Sequence, residues 1–270
     1  MTAHCLNLLL PGMNTLQVQR ISRVQATQRA GRAGRTAPGK CIRLYGQNEF
    51  ELMDTETVPE IQRSHLEDVV LFLKDLHIDD VLNVDFLDPP DKIGVIQACK
   101  QLYLLGALDA AGKLTSQGRS MAKVPVEPAL ARALLAGAAA GVLSEVVTIV
   151  AMLGCEEMGG VFIRPGDPRT RKLADESRLS FAKDGHGDQI ALLRCYASWD
   201  ELGRRSRTWC DKNWVHGRSL ARAAEMRDLL LRSLSSVGID VNRAGARDRI
   251  SFCEKVLDRT RQALCYGLYM

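Results

Sequence analysis

Ala107-Leu108-Asp109-Ala110-Ala111-Gly112-Lys113-Leu114-Thr115 is the stretch that decides between a plain helical array and something more specific. The segment reads as two very short strands around a glycine turn. Behind it a short helix is predicted through Met121. Ahead of it, after Asp88-Pro89-Pro90, a helix is predicted from about Lys92, burying Ile96, Cys99 and Tyr103 and stopping at Gly106. One element earlier, Ser64 and Glu67 have capping-box spacing, and Leu66, Val69, Val70, Leu73 and Leu76 form one helical stripe. Helices followed by a small hairpin predict a winged helix.

Downstream the pattern is helical throughout. Pro128 suits a first helical position, with Leu130, Leu134 and Leu135 following it. Ser144 is a candidate cap for a helix through Leu153 whose Val146, Val147, Ile149, Val150 and Met152 leave it few polar faces, so it is predicted to be buried. Residues 159–187, rich in glycine, proline and charge, read as a connection. Asp188 and Ser219 are candidate caps for helices through Leu202 and Leu234, and Ile250, Cys253, Leu257 and Leu264 mark a last one. Upstream, residues 1–14 show no usable period and Pro11-Gly12 signals a turn. Ser22 caps a predicted helix that Gly34 and Pro38-Gly39 end, and Cys41-Ile42-Arg43-Leu44-Tyr45 alternates like a short strand. The fold class is mainly α: a small α/β remnant, then a winged helix, then an α-helical bundle.

The 270 residues, 46% hydrophobic and 25% charged, are a globular composition. The net charge of +4 is too small to indicate nucleic acid by itself, but residues 13–45 carry seven Lys/Arg and no acid, whereas residues 61–100 carry eight acids against four bases. The eight cysteines are scattered with no CxxC pair, the usage of reduced thiols inside a cell. Leu6 to Leu10 is too short an apolar run for a signal peptide core or a membrane span. An intracellular protein of nucleus, nucleolus or cytoplasm is expected, without a membrane partner.

The chemistry concentrates in Gln28-Arg29-Ala30-Gly31-Arg32-Ala33-Gly34-Arg35. On a helix, Gln28, Arg32 and Arg35 share a face at i, i+4 and i+7, while Gly31 and Gly34 bare the backbone beside them. Guanidinium forks suit phosphate oxygens, and an amide can hold a water at the same edge. The plainer reading is a basic helix for nucleic-acid backbone or nuclear import, which tolerates any spacing. Residues 34–40 satisfy GxxxxGK, but Cys41 stands where Ser or Thr would hold magnesium, and a phosphate loop should follow a strand and open a helix, the reverse of the order here. Asp175-Glu176-Ser177-Arg178 lacks the last histidine of a DExH box and reads as solvated charge in a loop. Residues 201–222 carry six Lys/Arg, two acids, Trp209 and Trp214; stacking on RNA is one reading and core anchoring the plainer one. Cys210 with His216, or His186 with Asp188, form at most half a metal site, and a turn with an N-cap accounts for the latter pair.

The sequence resembles the DEAH-box ATP-dependent RNA helicases. Residues 28–35 match that family's QRxGRxGR motif, with Ile21-Ser22-Arg23, Cys41 to Tyr45 and Val58 to Arg63 agreeing around it. Leu104 to Leu108, Leu114-Thr115, Gly118-Arg119 and Val124 to Pro128 resemble the winged helix and the entry to the ratchet (HA2) bundle. Val161 to Pro165, Gly187-Asp188, Trp209-Cys210, Asn213-Trp214 and Arg218 to Leu220 resemble the bundle's landmarks. The resemblance implies domains at 1–60 (end of the second RecA-like domain), 61–128 (winged helix) and 129–270 (bundle). It implies that Arg32 and Arg35 reach the γ-phosphate of ATP, with Mg2+ held elsewhere, that Gln28 positions the attacking water, and that Arg29 is structural or pairs with an acid. It also implies RNA as substrate and G-patch activators as docking partners of the winged-helix region. The family's phosphate loop, DEAH box and OB-like domain have no counterpart in these residues, so the chain by itself is expected neither to hydrolyse ATP nor to unwind RNA. The alternative is a non-enzymatic module that binds RNA or a G-patch partner.

Overall fold

The computed structural model describes residues 2–6, 15–157, 160–182, 185–203, 206–242 and 249–269. At the start, β1 (Thr2–Leu6) and β2 (Thr15–Gln19) pair antiparallel, from Thr2 opposite Gln19 to Leu6 opposite Thr15. No period in residues 1–14 foretold this hairpin. The first helix, α1 (Arg23–Gly31), starts at Ser22 as predicted: Gln25 N donates to Ser22 Oγ (3.2 Å) and Ser22 N donates to Gln25 Oε1 (3.3 Å), a reciprocal cap. It gives way to a 3-10 turn, Arg32–Gly34. The short helix α2 (Gln47–Glu51) follows.

The strand expected at 41–45 does not form. A strand needs a neighbour for its N–H and C=O groups, and none lies beside this segment among the described residues, so Ile42 and Leu44 stand 84% and 95% exposed.

Next, α3 (Glu67–Asp75), α4 (Lys92–Leu104) and α5 (Ser116–Ala122) pack around one Leu108 to Leu114 bridge, the predicted hairpin reduced to a single pair. Asp109 shapes its turn by accepting from the N–H groups of Ala111 and Lys113 (both 2.9 Å). Gly118 is required here, because a Cβ would lie 2.2 Å from Ala107 O. Two predicted details shift. Ser64 does not cap α3: it donates to Glu60 O (2.6 Å), and Leu66 takes the cap position without a side-chain bond. On α4 the core takes Val95, Ala98 and Leu102; of the predicted set Cys99 packs partly buried against it, while Ile96 and Tyr103 are exposed. Both sets have i, i+3, i+7 spacing; small Ala98 lets α3 come close, and Tyr103 keeps its hydroxyl in water at 53% exposure.

The bundle comprises α6 (Pro128–Ala140), α7 (Leu143–Glu157), α8 (Pro168–Phe181), α9 (Asp188–Glu201), α10 (Arg207–Lys212), α11 (Gly217–Ser236) and α12 (Glu254–Leu268). As predicted, α7 is its buried axis, with Val146, Val147, Ile149 and Met152 fully excluded from water. Ser144 lies inside α7 and is not its cap; its hydroxyl accepts from Arg227 Nη2 (3.2 Å), while Thr148 accepts from Arg227 Nε (3.1 Å), pinning α11 to α7. The expected connection at 159–187 contains α8, started by Asp167, whose carboxylate accepts from Thr170 N (3.0 Å), with Pro168 at the first helical position. Only Ala174 and Phe181 of α8 are buried, which is why no apolar stripe announced it. Asp188 and Ser219 sit one and three positions past the caps, Gly187 and His216; Ser219 Oγ instead donates to Gly160 O (3.0 Å).

Candidate functional site

The arginine motif is held at one end and free at the other. Ile21, Ser22 and Ala26 are buried, and Arg23 N donates to Asp54 O (2.9 Å) while Val24 N donates to Thr55 O (3.3 Å). The Arg23 guanidinium reaches the same segment, donating to Met53 O and Glu51 O (both 3.0 Å). An arginine that spans two backbone carbonyls in this way is a bracket, and it ties α1 to residues 51–53.

From Gln28 to Arg35 every side chain except Ala30 is exposed. The side chains of Gln28, Arg29, Arg32 and Arg35 make no hydrogen bond or ion pair among the described residues. The expected structural or paired role of Arg29 is therefore not met: it projects into solvent like its neighbours. The junction between α1 and the 3-10 turn also changes the geometry. Side chains three apart eclipse in a 3-10 turn, so Arg32 and Arg35 align more closely than on an α-helix, with Arg35 still in right-handed backbone (φ −69°, ψ −41°). A Cβ on Gly31 or Gly34 would meet nothing within 4 Å. Their missing side chains are not demanded by packing or by backbone strain. Gly39 differs, since its Cβ would lie 2.0 Å from Ala33 O as the chain folds back over the turn. Residues 34–40 open no helix, so the GxxxxGK match has no helix N-terminus to offer a phosphate.

The second candidate region, residues 201–222, divides. Trp209 packs against the core, its ring 6.1 Å from that of Phe181, while Trp214 is half-buried and its backbone N donates to Asp211 O (3.4 Å) from a left-handed conformation (φ 53°). Arg207, Lys212, Arg218 and Arg222 are exposed, and Arg204 and Arg205 lie outside the described residues. Arg207 and Arg218 flank a groove of about 610 Å3 that Trp199, Cys210 and His216 also line. Burial, then the charge of Asp211, pushes the Cys210 thiol up, away from a metal-binding thiolate. Among the described residues no group of His, Cys, Asp and Glu could hold a metal ion. His186 turns from Asp188 to α12, with Nδ1 3.1 Å from Arg261 Nη1, and Asp188 faces Arg178 at 3.8 Å. Sequence reading missed a basic stretch before and at the start of α8, where Arg164, Arg169, Arg171 and Lys172 are all exposed; their signal was charge density without an apolar period. Asp175 and Glu176 are exposed as read, but on that helix. No described helix is long and apolar enough to cross a membrane.

Two adjoining family models match the chain: the helicase-associated (HA2) winged-helix domain over residues 98–126 and the ratchet-like HA2 domain over residues 127–192. Over 259 residues, 96% of its length, the chain is 37% identical to the pre-mRNA-splicing factor and ATP-dependent RNA helicase prp22 of Schizosaccharomyces pombe. Together these matches support a C-terminal, helicase-associated fragment of the DEAH-box helicase kind. It spans 21% of that relative's length. The winged-helix match takes in the end of α4, the one-bridge wing and α5, and the ratchet-like match begins at the start of α6. The mainly α architecture is that of the HA2 region.

Proposed function

We propose that the chain is the part of an ATP-dependent RNA helicase that completes the nucleotide site from one side and couples it to RNA. Arg32 and Arg35 neutralise charge developing on the γ-phosphate of ATP, and Gln28 orients the attacking water. The observation that carries this reading is a pair of exposed arginines three positions apart at a 3-10 turn, without a side-chain partner among the described residues, following a helix that Arg23 brackets to Glu51 and Met53. Phosphoryl transfer asks a protein for positioning and charge stabilisation, which such a pair supplies. The residues fit the phosphate end of ATP alone: nothing among the described residues fits Mg2+, whose charge neutralisation would come from carboxylates elsewhere.

Domain limits at 60/61 and 128/129 belong to the same proposal, as do RNA contact by the exposed bases of α8, α10 and α11, a G-patch protein as partner, and work inside the nucleus or cytoplasm. A partner-binding module without catalysis is the second reading, favoured by the exposed apolar side chains of α3 and α4, among them Phe72 at 62% and Ile93 at 63%. ATP turnover separates the two. The isolated chain should show none. In a chimera placing these residues behind the N-terminal part of the S. pombe relative, Arg32→Ala and Arg35→Ala should each lower kcat about a thousandfold with little change in KM. Unchanged kcat would leave only the module.

A further inference from the structure

The groove of about 610 Å3 in the bundle lies where α9, α10 and the start of α11 meet Ile163. Its floor is dry: Trp199 is 3% exposed, Cys210 6% and Val215 2%. Backbone pairing holds that floor in place, since Ile163 N donates to Trp214 O (2.8 Å) and His216 N donates to Val161 O (2.9 Å). Trp214 takes the left-handed backbone that bulky residues avoid, and beyond it buried Val215 and exposed His216 stand side by side in the groove. The rim is cationic. Arg207 and Arg218 line it, and Arg222 follows one turn along α11 from Arg218. Arg218 and His216 are exposed, and their side chains make no hydrogen bond or ion pair among the described residues. The acid that lines the groove, Asp211, already faces Arg207 at 3.9 Å, both groups standing in water. A recess with an apolar floor and a cationic rim is complementary to a ligand that is apolar in the middle and anionic at its edges.

We propose that this groove docks a segment of a partner protein in which acidic residues flank one large apolar side chain. The apolar side chain fills the recess over Trp199 and Val215. The carboxylates lie against Arg207 and Arg218, whose planar forks take a carboxylate through two parallel hydrogen bonds, and His216 adds an imidazole donor. Charge and shape together select this occupant. Single-stranded RNA satisfies the charge but leaves the recess empty: RNA is held by exposed rings on which bases stack, whereas Trp199 is buried and Trp209 packs against the core. A basic segment is repelled by the rim. The proposal goes beyond the readings above and uses neither the arginine motif nor the winged helix. RNA, which those readings bring to the exposed bases of α10 and α11, competes with the peptide for Arg207 and Arg218.

The test uses the full chain and short fluorescein-labelled peptides that place a leucine or tryptophan between aspartates, followed by anisotropy. These peptides should bind saturably, and less tightly as salt is raised. Arg207→Glu and Arg218→Glu should each weaken binding about tenfold or more, with circular dichroism and melting showing a retained fold. Peptides with alanine for the central apolar residue should bind at least about tenfold more weakly, and peptides with lysines for the aspartates should not bind. No saturable binding of any aspartate peptide, equal binding of the alanine or lysine peptides, or undiminished binding to both variants would overturn the proposal. So would saturable binding of a single-stranded oligouridylate that Arg218→Glu weakens while the aspartate peptides stay unbound, which would make RNA the occupant. Binding is the readout throughout, so failure here is seen separately from failure of the nucleotide reading, which rests on turnover.

Discussion

Arg23 and Arg32 are the same residue type nine positions apart, and their surroundings give them opposite work. Arg23 spends its donors on the carbonyls of Glu51 and Met53, whereas Arg32 has none to bond. Gly31 and Gly34 repeat the contrast, with open space where Gly39 has a carbonyl at 2.0 Å. Replacing Gly31 by alanine should therefore keep the fold and raise stability by up to about 1 kcal/mol in thermal melts, while turnover of the chimera falls because a methyl group stands where phosphate oxygens approach. Asp68 gives a residue-level prediction of another kind. Burial, and then the charge of Glu67, raises its folded pKa, so the folded state holds the proton more tightly than the unfolded chain. The stability this adds is present at low pH and is lost as pH rises through the folded pKa. Asp68→Asn removes that dependence: urea unfolding should favour the asparagine variant at neutral pH, and the difference should shrink on acidification toward roughly pH 4.

At the scale of elements, closeness of approach decides which substitutions hurt. Where α12 crosses α6, a Cβ on Gly267 would lie 1.9 Å from Ala129 O, whereas Gly154 in α7 has nothing within 4 Å. Gly267→Ala should cost about 3 kcal/mol or more and Gly154→Ala should gain about 0.5–1 kcal/mol, both read from denaturant midpoints. The sequence announced most of these elements, and its failures have causes. The helix start at Ser22 was legible because cap and capping partner are adjacent in the chain. The α4 face was not, because two neighbouring stripes have the same spacing and only the nearness of α3 chooses between them. Helix α8 was hidden because two buried residues make no period, although Asp167-Pro168 carried a start signal. The segment 41–45 had a strand's pattern without a strand's neighbour.

For the molecule as a whole, two apolar clusters share α7, α9 and α11, with Leu153, Met226 and Ile250 packed against both. Leu134, wholly buried, should therefore report on winged helix and bundle together: Leu134→Ala should shift one cooperative transition by about 2–5 kcal/mol, and two separate transitions would show independent units. Function was legible to a different depth. Motif order pointed to the DEAH-box helicases, and the HA2 matches agree with it. The identity of Gln28, Arg32 and Arg35 as donors was visible in the sequence, but their side chains' lack of a partner among the described residues was not, since that depends on which acids the fold brings near. Turnover in the chimera tests this most directly, comparing Arg32→Ala with Arg29→Ala, two exposed and unpaired arginines of the same helix end. Loss of about a thousandfold in kcat at Arg32 with near-normal turnover at Arg29 is the expected result; equal, small losses at both would show a basic patch and no arginine finger.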